Sequence, residues 1–326
     1  MKSADRSLPT WGHAVLGLFL LCFVSPLLAQ TSLIAFSASD NNHEQIFVID
    51  PNGEVPPISL TRVLKTNTHS TEPDWSPSGD HIAFMASVEL FTNDVWIMRS
   101  DGTEHREIVH EARAEDREHS IISDPVWSPD GSVIAYVDMS KGAVCLAIAD
   151  GDDGGCIDPD SHVSRHADWT PDGLHIVFQD GQQQISIMDD DGLNVRILAS
   201  NANDNSNYAP SVSPDGTRIV FDHDLRGPNE VWIMNLDGSD KRFVVEGRCP
   251  AWSPDSKQIA FSVDGSDVSV INADGTGLHT IFHSNLLRGI GEFAWSPILS
   301  DGTATPSSTW GETKASPTGY GVLRGG

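Results

Sequence analysis

The chain has 326 residues and carries 46 acidic against 20 basic side chains, which gives a net charge of -26 at neutral pH. A protein so acidic repels phosphate backbones, which argues against nucleic acid as a partner. Its 28 glycines and 19 prolines, with no long amphipathic helical period, predict a turn-rich all-β protein.

The first 29 residues have the layout of a signal peptide. Lys2 and Arg6 precede an uncharged apolar run, and the small residue Ala29 ends the segment. The apolar run is shorter than the ~20 residues that span a bilayer. We therefore expect residues 1–29 to be removed on export, so that the protein works in the periplasm or as a secreted protein. An uncleaved anchor is the alternative, because Leu27 stands where a small residue is preferred before a cleavage site.

A repeated motif occupies most of the remaining chain. Its clearest copy is Pro125-Val126-Trp127-Ser128-Pro129-Asp130-Gly131, which leads into the apolar triplet Ile134-Ala135-Tyr136. Such a copy predicts a strand ending in an aromatic residue, a tight turn and a second strand. A later landmark in each repeat, such as Asp94-Val95-Trp96-Ile97-Met98 before Asp101-Gly102, predicts a third strand, another turn and a fourth strand.

The spacing of the copies predicts the architecture. The marker prolines are Pro77, Pro129, Pro171, Pro214, Pro254 and Pro297. Their separations of 40 to 52 residues match one four-stranded propeller blade per repeat. The last copy supplies only a first strand, whereas residues 33–36 match a second strand and residues 45–49 a third. We therefore predict a six-bladed β-propeller of antiparallel blades over residues 30–297, closed by a composite blade from both chain ends.

The motifs Trp-Ser-Pro-Asp-Gly, Ile-Ala-Phe and Val-Trp-Ile-Met followed by Asp-Gly resemble the WD40-like repeats of the TolB propeller family over residues 32–297. The resemblance implies a non-catalytic propeller that binds a protein outside the cytoplasm, as TolB-type proteins bind the peptidoglycan-associated lipoprotein. Few residues separate the signal from the first repeat strand. We therefore expect the N-terminal domain of TolB to be missing and the protein to lie outside the Tol system. Residues 298–326, rich in Ser, Thr, Gly and Pro, predict a flexible tail.

The candidate site follows from the repeat. The residue three positions before each marker aromatic, or before Val212 in the copy that lacks one, should lie where an inner strand enters the central channel; these residues are Glu72, Asp124, His166, Ala209, Cys249 and Glu292. Five of the six can titrate or bind a metal. One interpretation is a site for Ca²⁺ or a transition metal. The other is a polar channel lining solvated by water, which is common at strand entrances, and no metal ligand is assigned from the sequence.

Two further sets of residues carry structural predictions. The marker tryptophans should pack between blades, since they recur at one position of the repeat; they are Trp75, Trp127, Trp169, Trp252 and Trp295. Cys145 and Cys156 flank the Asp150-Gly151 turn symmetrically, which places them opposite each other. A cross-strand disulfide and two unlinked core residues are both open, and Cys249 is left over.

Enzyme motifs are mostly absent: there is no Gly-x-Ser-x-Gly elbow, His-Glu-x-x-His helix or phosphate-binding loop. We expect a monomeric, non-catalytic propeller that binds an envelope or secreted protein through its channel face and loops, with the basic loop 103–124 as a recognition element. The alternatives are a metal-dependent enzyme in the channel, such as a lyase of acidic sugars similar to the oligogalacturonate lyases, and a calcium or small-ligand binder. Against a lyase, the proposed ring holds one histidine and the acidic chain repels polyanions.

Overall fold

The computed structural model is a ring of six four-stranded antiparallel sheets. It describes residues 32–40, 43–62, 64, 68–87, 93–109, 122–149, 153–157, 163–200, 206–224 and 228–297. The predicted signal segment 1–29 and tail 298–326 lie outside the described residues. Over the described ranges the secondary structure consists of 24 strands, and no helix there is long and apolar enough to cross a membrane.

Each sheet is one blade, and five of the six blades are formed by four consecutive strands. The closing blade contains β1 (Ile34–Asp40), β2 (His43–Ile49), β3 (Ile58–Ser59) and β24 (Arg288–Trp295). The next contains β4 (His69–Trp75), β5 (His81–Ser87), β6 (Asp94–Arg99) and β7 (Arg106–Val109). The third contains β8 (Ile122–Trp127), β9 (Val133–Asp138), β10 (Ala143–Ile148) and β11 (Asp153–Ile157). The fourth contains β12 (Val163–Trp169), β13 (His175–Asp180), β14 (Ile185–Asp189) and β15 (Arg196–Ala199). The fifth contains β16 (Ser206–Val212), β17 (Arg218–Asp224), β18 (Glu230–Asn235) and β19 (Arg242–Glu246). The sixth contains β20 (Arg248–Trp252), β21 (Gln258–Ser262), β22 (Asp267–Asn272) and β23 (His279–His283).

The closing blade joins the two ends of the propeller, as the sequence predicted. Its strand order is β24-β1-β2-β3, and Ile34 of β1 lies opposite Trp295 of β24. The backbone N–H of Leu33 donates to Ser296 Oγ at 2.7 Å, and the N–H of Ser296 donates to the carbonyl of Leu33 at 2.8 Å. Because β1 and β24 pair within one sheet, their facing edges are covered and the six-bladed ring is closed. The predicted composite blade is confirmed.

The repeated Ser-Pro-Asp-Gly segment forms the turn between the first two strands of a blade. In the third blade, Asp130 Oδ1 accepts hydrogen bonds from the N–H of Ser132 at 3.0 Å and from Ser128 Oγ at 2.7 Å. Gly131 follows with φ of 71°, which a residue without Cβ adopts at little cost. These hydrogen bonds outweigh partial burial and lower the pKa of Asp130. The many aspartates at turns are therefore structural, since each holds the local backbone.

The apolar core is divided among the interfaces between neighbouring blades. Trp127 of β8, for example, packs with Val95 and Ile97 of the preceding blade. The marker tryptophans Trp75, Trp127, Trp169 and Trp252 are buried, and Trp295 is half-buried. The largest fully buried side chains include the phenylalanines of the apolar triplets, Phe36, Phe84, Phe178, Phe221 and Phe261. The repeat thus supplies the interfaces with similar aromatic and aliphatic layers, with Val212 in place of the tryptophan in the fifth blade.

Candidate binding channel

The six residues selected from the repeat lie at equivalent positions of the six inner strands. We call Glu72, Asp124, His166, Ala209, Cys249 and Glu292 the channel ring. All six have left-handed backbone conformations, with φ between 46° and 54°, and together they line a central cavity of about 290 Å³. A side-chain-bearing residue in that conformation costs roughly 1 kcal/mol, so the ring repeats a strained backbone feature six times.

The ring carboxylates connect neighbouring blades through the backbone. Glu292 Oε2 accepts a hydrogen bond from the N–H of Glu72 at 3.1 Å, and Glu72 Oε2 accepts one from the N–H of Asp124 at 2.6 Å. Asp124 Oδ2 accepts one from the N–H of His166 at 3.1 Å. Ser37 Oγ also donates to Glu292 Oε2, at 2.7 Å. Three successive ring carboxylates therefore satisfy the N–H group that the left-handed turn exposes in the next blade.

The other ring positions differ in chemistry. Ala209 has no acceptor, and the buried Asp222 of β17 supplies one instead, since its Oδ2 accepts the N–H of Cys249 at 3.0 Å. The ring of His166 is held by its neighbours, with Nδ1 at 3.3 Å from Gln179 Oε1 and Nε2 at 3.6 Å from Asp124 Oδ1. The acceptor at this level of the channel can therefore come from the inner strand or from the strand behind it.

A second level of carboxylates lies two residues further along the inner strands. Asp74 Oδ2 accepts the N–H of Trp127 at 2.8 Å, and Asp168 Oδ2 accepts the N–H of Val212 at 2.7 Å. The sequence reasoning missed both, although an aspartate directly before a marker aromatic of a buried strand is a usable signal. It also missed Asp222, for which the repeat contains no signal because the residue lies in the second strand.

Burial makes these carboxyls weak acids. It raises the pKa of Asp74 to about 8 and that of Asp168 to about 7. The pKa of Asp222 is raised to about 8 for the same reason. Glu72 has its pKa raised well above the usual value by burial and by the charges of Asp124 and Glu292 beside it. Several channel carboxyls therefore keep a proton near neutral pH.

Cys249 is the unpaired cysteine of the described residues. Burial, and then the negative charge of Asp222, raises the pKa of its thiol to about 12. A thiol with so high a pKa is a poor nucleophile and a poor metal ligand. Within the described part of the chain, no group of three or more His, Cys, Asp or Glu side chains is arranged to hold a metal ion.

The opposite end of the channel, beyond the second carboxylate level, is lined mainly by proline and tryptophan side chains. A cavity of about 410 Å³ lies there, lined by Pro77, Pro214, Pro254, Pro297, Trp75, Trp252 and Trp295, with Asp74 and Ser76 as polar residues. The prolines belong to the turns that follow the inner strands. The channel therefore changes from a carboxyl-rich ring at one level to a proline and tryptophan collar at its end.

The remaining predicted site residues lie away from the channel. Cys145 of β10 lies opposite Cys156 of β11, and the two sulfur atoms are bonded at 1.98 Å. In the loop 103–124, residues 110–121 with most of its basic side chains lie outside the described residues. Of the described part, Arg106 donates from Nη2 to the carbonyl of Ala149 in the next blade at 2.7 Å.

No protein-family model matches the chain. Curated relatives include an uncharacterized protein of Agrobacterium fabrum, 24% identical over 250 residues, which are 69% of this chain and 80% of that protein. An oligogalacturonate lyase of Dickeya dadantii is 26% identical over 214 residues, 63% of this chain and 49% of the lyase. A TolB homologue of Chlorobaculum tepidum is 34% identical over 113 residues, 32% of this chain and 26% of that protein. The matches thus span about half of the lyase and a quarter of the TolB homologue.

Solved structures give the fold. TolB from Acinetobacter baumannii superposes with a TM-score of 0.66 at 20% identity, over 82% of this chain and 67% of that one. The fold is that of a TolB propeller. A putative TolB from Agrobacterium tumefaciens agrees, with a TM-score of 0.58 at 18% identity over 81% of this chain and 93% of that one. At these identities the likeness to the TolB structures concerns the fold alone.

Proposed function

We propose that this TolB-like propeller is an extracytoplasmic binding protein that docks a protein partner at its central channel and performs no catalysis. The observation that carries the proposal is the channel ring, in which six equivalent inner-strand residues line one cavity at the centre of a closed ring of blades. Their carboxylates are fixed by backbone hydrogen bonds. Such a surface is preorganised, so a partner would bind it at little cost in conformational entropy.

The chemistry of the ring supports binding over catalysis. Its carboxylates are occupied as acceptors for backbone N–H groups, and its thiol stays protonated because burial raises the pKa of Cys249. A nucleophile would need an adjacent base to activate it. The acidic overall charge also favours partners with basic surfaces.

The proposal extends to location and assembly. The signal-like segment 1–29, together with the TolB fold, supports export to the periplasm or beyond the cell. The partner would then be an envelope or secreted protein. We propose a monomer, because the ring closes on itself and pairs its own terminal strands.

A blocked channel tests the proposal. Ala209 is the ring residue with the smallest side chain, and the other five positions carry larger side chains on the same backbone conformation. Ala209→Trp should therefore fold and fill the channel entrance. The matched control is Ile197→Trp, at an exposed position of the outer strand β15.

Both variants and the wild type would be immobilised and exposed to envelope extract, and specifically retained proteins would be identified. The proposal predicts a protein retained by the wild type and by Ile197→Trp, with at least a tenfold loss for Ala209→Trp. Equal retention by all three, at unchanged melting temperature, would place the binding surface elsewhere.

A lyase acting on acidic sugars is the second candidate, favoured by the similarity to the oligogalacturonate lyase. Elimination would create an unsaturated sugar, whose ultraviolet absorbance can be followed with oligogalacturonate and added divalent ions. A signal that Glu72→Ala/His166→Ala abolishes would replace the binding proposal. Metal content of the dialysed wild type, compared with the same double variant, tests the calcium-binder alternative.

A further inference from the structure

Two histidines meet where the closing blade contacts its neighbour. His43 begins β2 and His69 begins β4. Their ring centroids are 5.9 Å apart, with the planes inclined at 51°. Neither residue belongs to the channel ring, although His69 precedes Glu72 by three positions on the same inner strand. The pair therefore lies beside the end of the channel at which the inner strands begin.

The hydrogen-bonding state of each ring leaves nitrogen atoms available. Nδ1 of His69 contacts Glu44 Oε2 at 3.3 Å, and both side chains are about half exposed. This leaves Nε2 of His69 for another ligand. Nδ1 of His43 is shielded from solvent, and among the described residues nothing forms a hydrogen bond with it, so this ring keeps a buried nitrogen without a partner. A carboxylate that holds one imidazole nitrogen while the other binds a metal is a common arrangement in metal sites, because it fixes the ring and raises its basicity.

The distance between the rings suits a shared ion. Zinc–nitrogen bonds are about 2.0–2.1 Å, and a ring centre lies roughly 1 Å behind its nitrogen. Two imidazoles on one ion therefore have centroids about 5 Å apart at a tetrahedral angle and about 6 Å apart at a wide angle. The observed 5.9 Å lies at the wide-angle end of this range. We propose that His43 and His69, with Glu44 as the outer partner of His69, bind one divalent transition metal ion such as Zn²⁺, Cu²⁺ or Ni²⁺.

The site differs from the channel ring in the ions it should prefer. Imidazole nitrogen favours zinc, copper and nickel, whereas calcium and magnesium prefer oxygen. Two protein ligands leave the remaining coordination positions to water or to a ligand from a partner. Because His43 and His69 belong to different blades, a bound ion would tie the closing blade to its neighbour and stabilise the folded state by mass action.

Zinc titration of the full chain, stripped with a chelator and followed by calorimetry, tests the site. The variants are His43→Gln, His69→Gln and Glu44→Gln. The matched control is His279→Gln, which removes an exposed histidine of the outer strand β23. We expect the wild type and the control to bind one Zn²⁺, and each of His43→Gln and His69→Gln to weaken the affinity at least tenfold. Glu44→Gln should weaken it less, because it only orients His69.

A second measurement separates a change in binding from a change in folding. Zn²⁺ should raise the melting temperature of the wild type and of His279→Gln but leave that of His69→Gln unchanged, while all three melt alike in chelator. The proposal is overturned if no zinc binds, or if the His43 and His69 variants bind it as the wild type does. The latter result would assign the ion to other residues.

Discussion

Replacing Asp74 by asparagine should stabilise the propeller, and more so as the pH rises. Asparagine keeps an oxygen that can accept the N–H of Trp127, the bond that Asp74 makes at 2.8 Å, but it cannot ionise. Burial raises the pKa of Asp74 from 3.8 to about 8 in the folded protein. The unfolded chain releases this proton near pH 4, whereas the folded chain holds it until pH 8. Ionisation of Asp74 therefore favours the unfolded state progressively between these pH values.

The size of the effect follows from the same shift. One pKa unit corresponds to about 1.4 kcal/mol, so a rise from 3.8 to about 8 sets an upper limit of roughly 6 kcal/mol above pH 8. Asp74 is only partly buried and lines the channel cavity, which weakens the penalty on its charge, and we expect a gain of about 2 kcal/mol in the free energy of unfolding. For a domain of this size that gain raises the melting temperature by about 5 °C.

Calorimetric melts at about pH 5.5 and about pH 8.5 measure the prediction, at pH values above the isoelectric point near 4.6. Asp130→Asn is the matched control and should change the stability in the opposite direction, because hydrogen bonds within the β-turn lower the pKa of Asp130. It should lose stability at both pH values. If Asp74→Asn gains equally at both pH values, or is less stable than the wild type at the higher one, the assigned burial of the Asp74 charge is wrong.

Three other variants test neighbouring features. Glu72→Gln should be at least as stable as the wild type near pH 8. Glu72→Ala should lose about 1–3 kcal/mol in the free energy of unfolding measured with urea, because it leaves the N–H of Asp124 without its acceptor. The double variant Cys145→Ser/Cys156→Ser should lose about 2–3 kcal/mol in the free energy of unfolding, because it lacks the disulfide. A reducing agent should lower the stability of the wild type by the same amount and leave that of the double variant unchanged. Cys249 should resist alkylation at pH 8 until the protein unfolds, since burial raises its pKa to about 12; rapid alkylation of the native state would contradict this.

The blade architecture could be predicted from the sequence because its causes are local. A turn such as Ser128 to Gly131 is stabilised by hydrogen bonds among a few neighbouring residues, so the same short sequence forms the same hairpin in each repeat. The composite blade was predictable for a related reason: the last repeat contains only a first strand, and the segment before the first complete repeat contains the later strands that it lacks. The positions of the channel ring could be counted from the marker aromatics for the same reason.

The hydrogen-bonding pattern of the site could not be predicted in this way. The bond from the N–H of Asp124 to Glu72 depends on how two blades are rotated against each other, which no single repeat determines. The left-handed backbone conformation of the channel ring could not be predicted either, because five different residue types occupy its six positions. The role of Asp222 could not be predicted, because it depends on Ala209 of the neighbouring strand, whose side chain has no hydrogen-bond acceptor.

Each ring carboxylate has two tasks, and this limits how the channel can vary. Glu72, Asp124 and Glu292 line the cavity and also satisfy the next blade's backbone, so a substitution that changes the surface can also weaken the contact between blades. Ala209 is different, since Asp222 accepts the N–H of Cys249 from behind. The side chain at position 209 therefore does not have to accept a backbone hydrogen bond from the next blade. The surface there can change without exposing an unpaired N–H, and the blade containing β16 is where the channel can be adapted to a ligand at the least cost in stability.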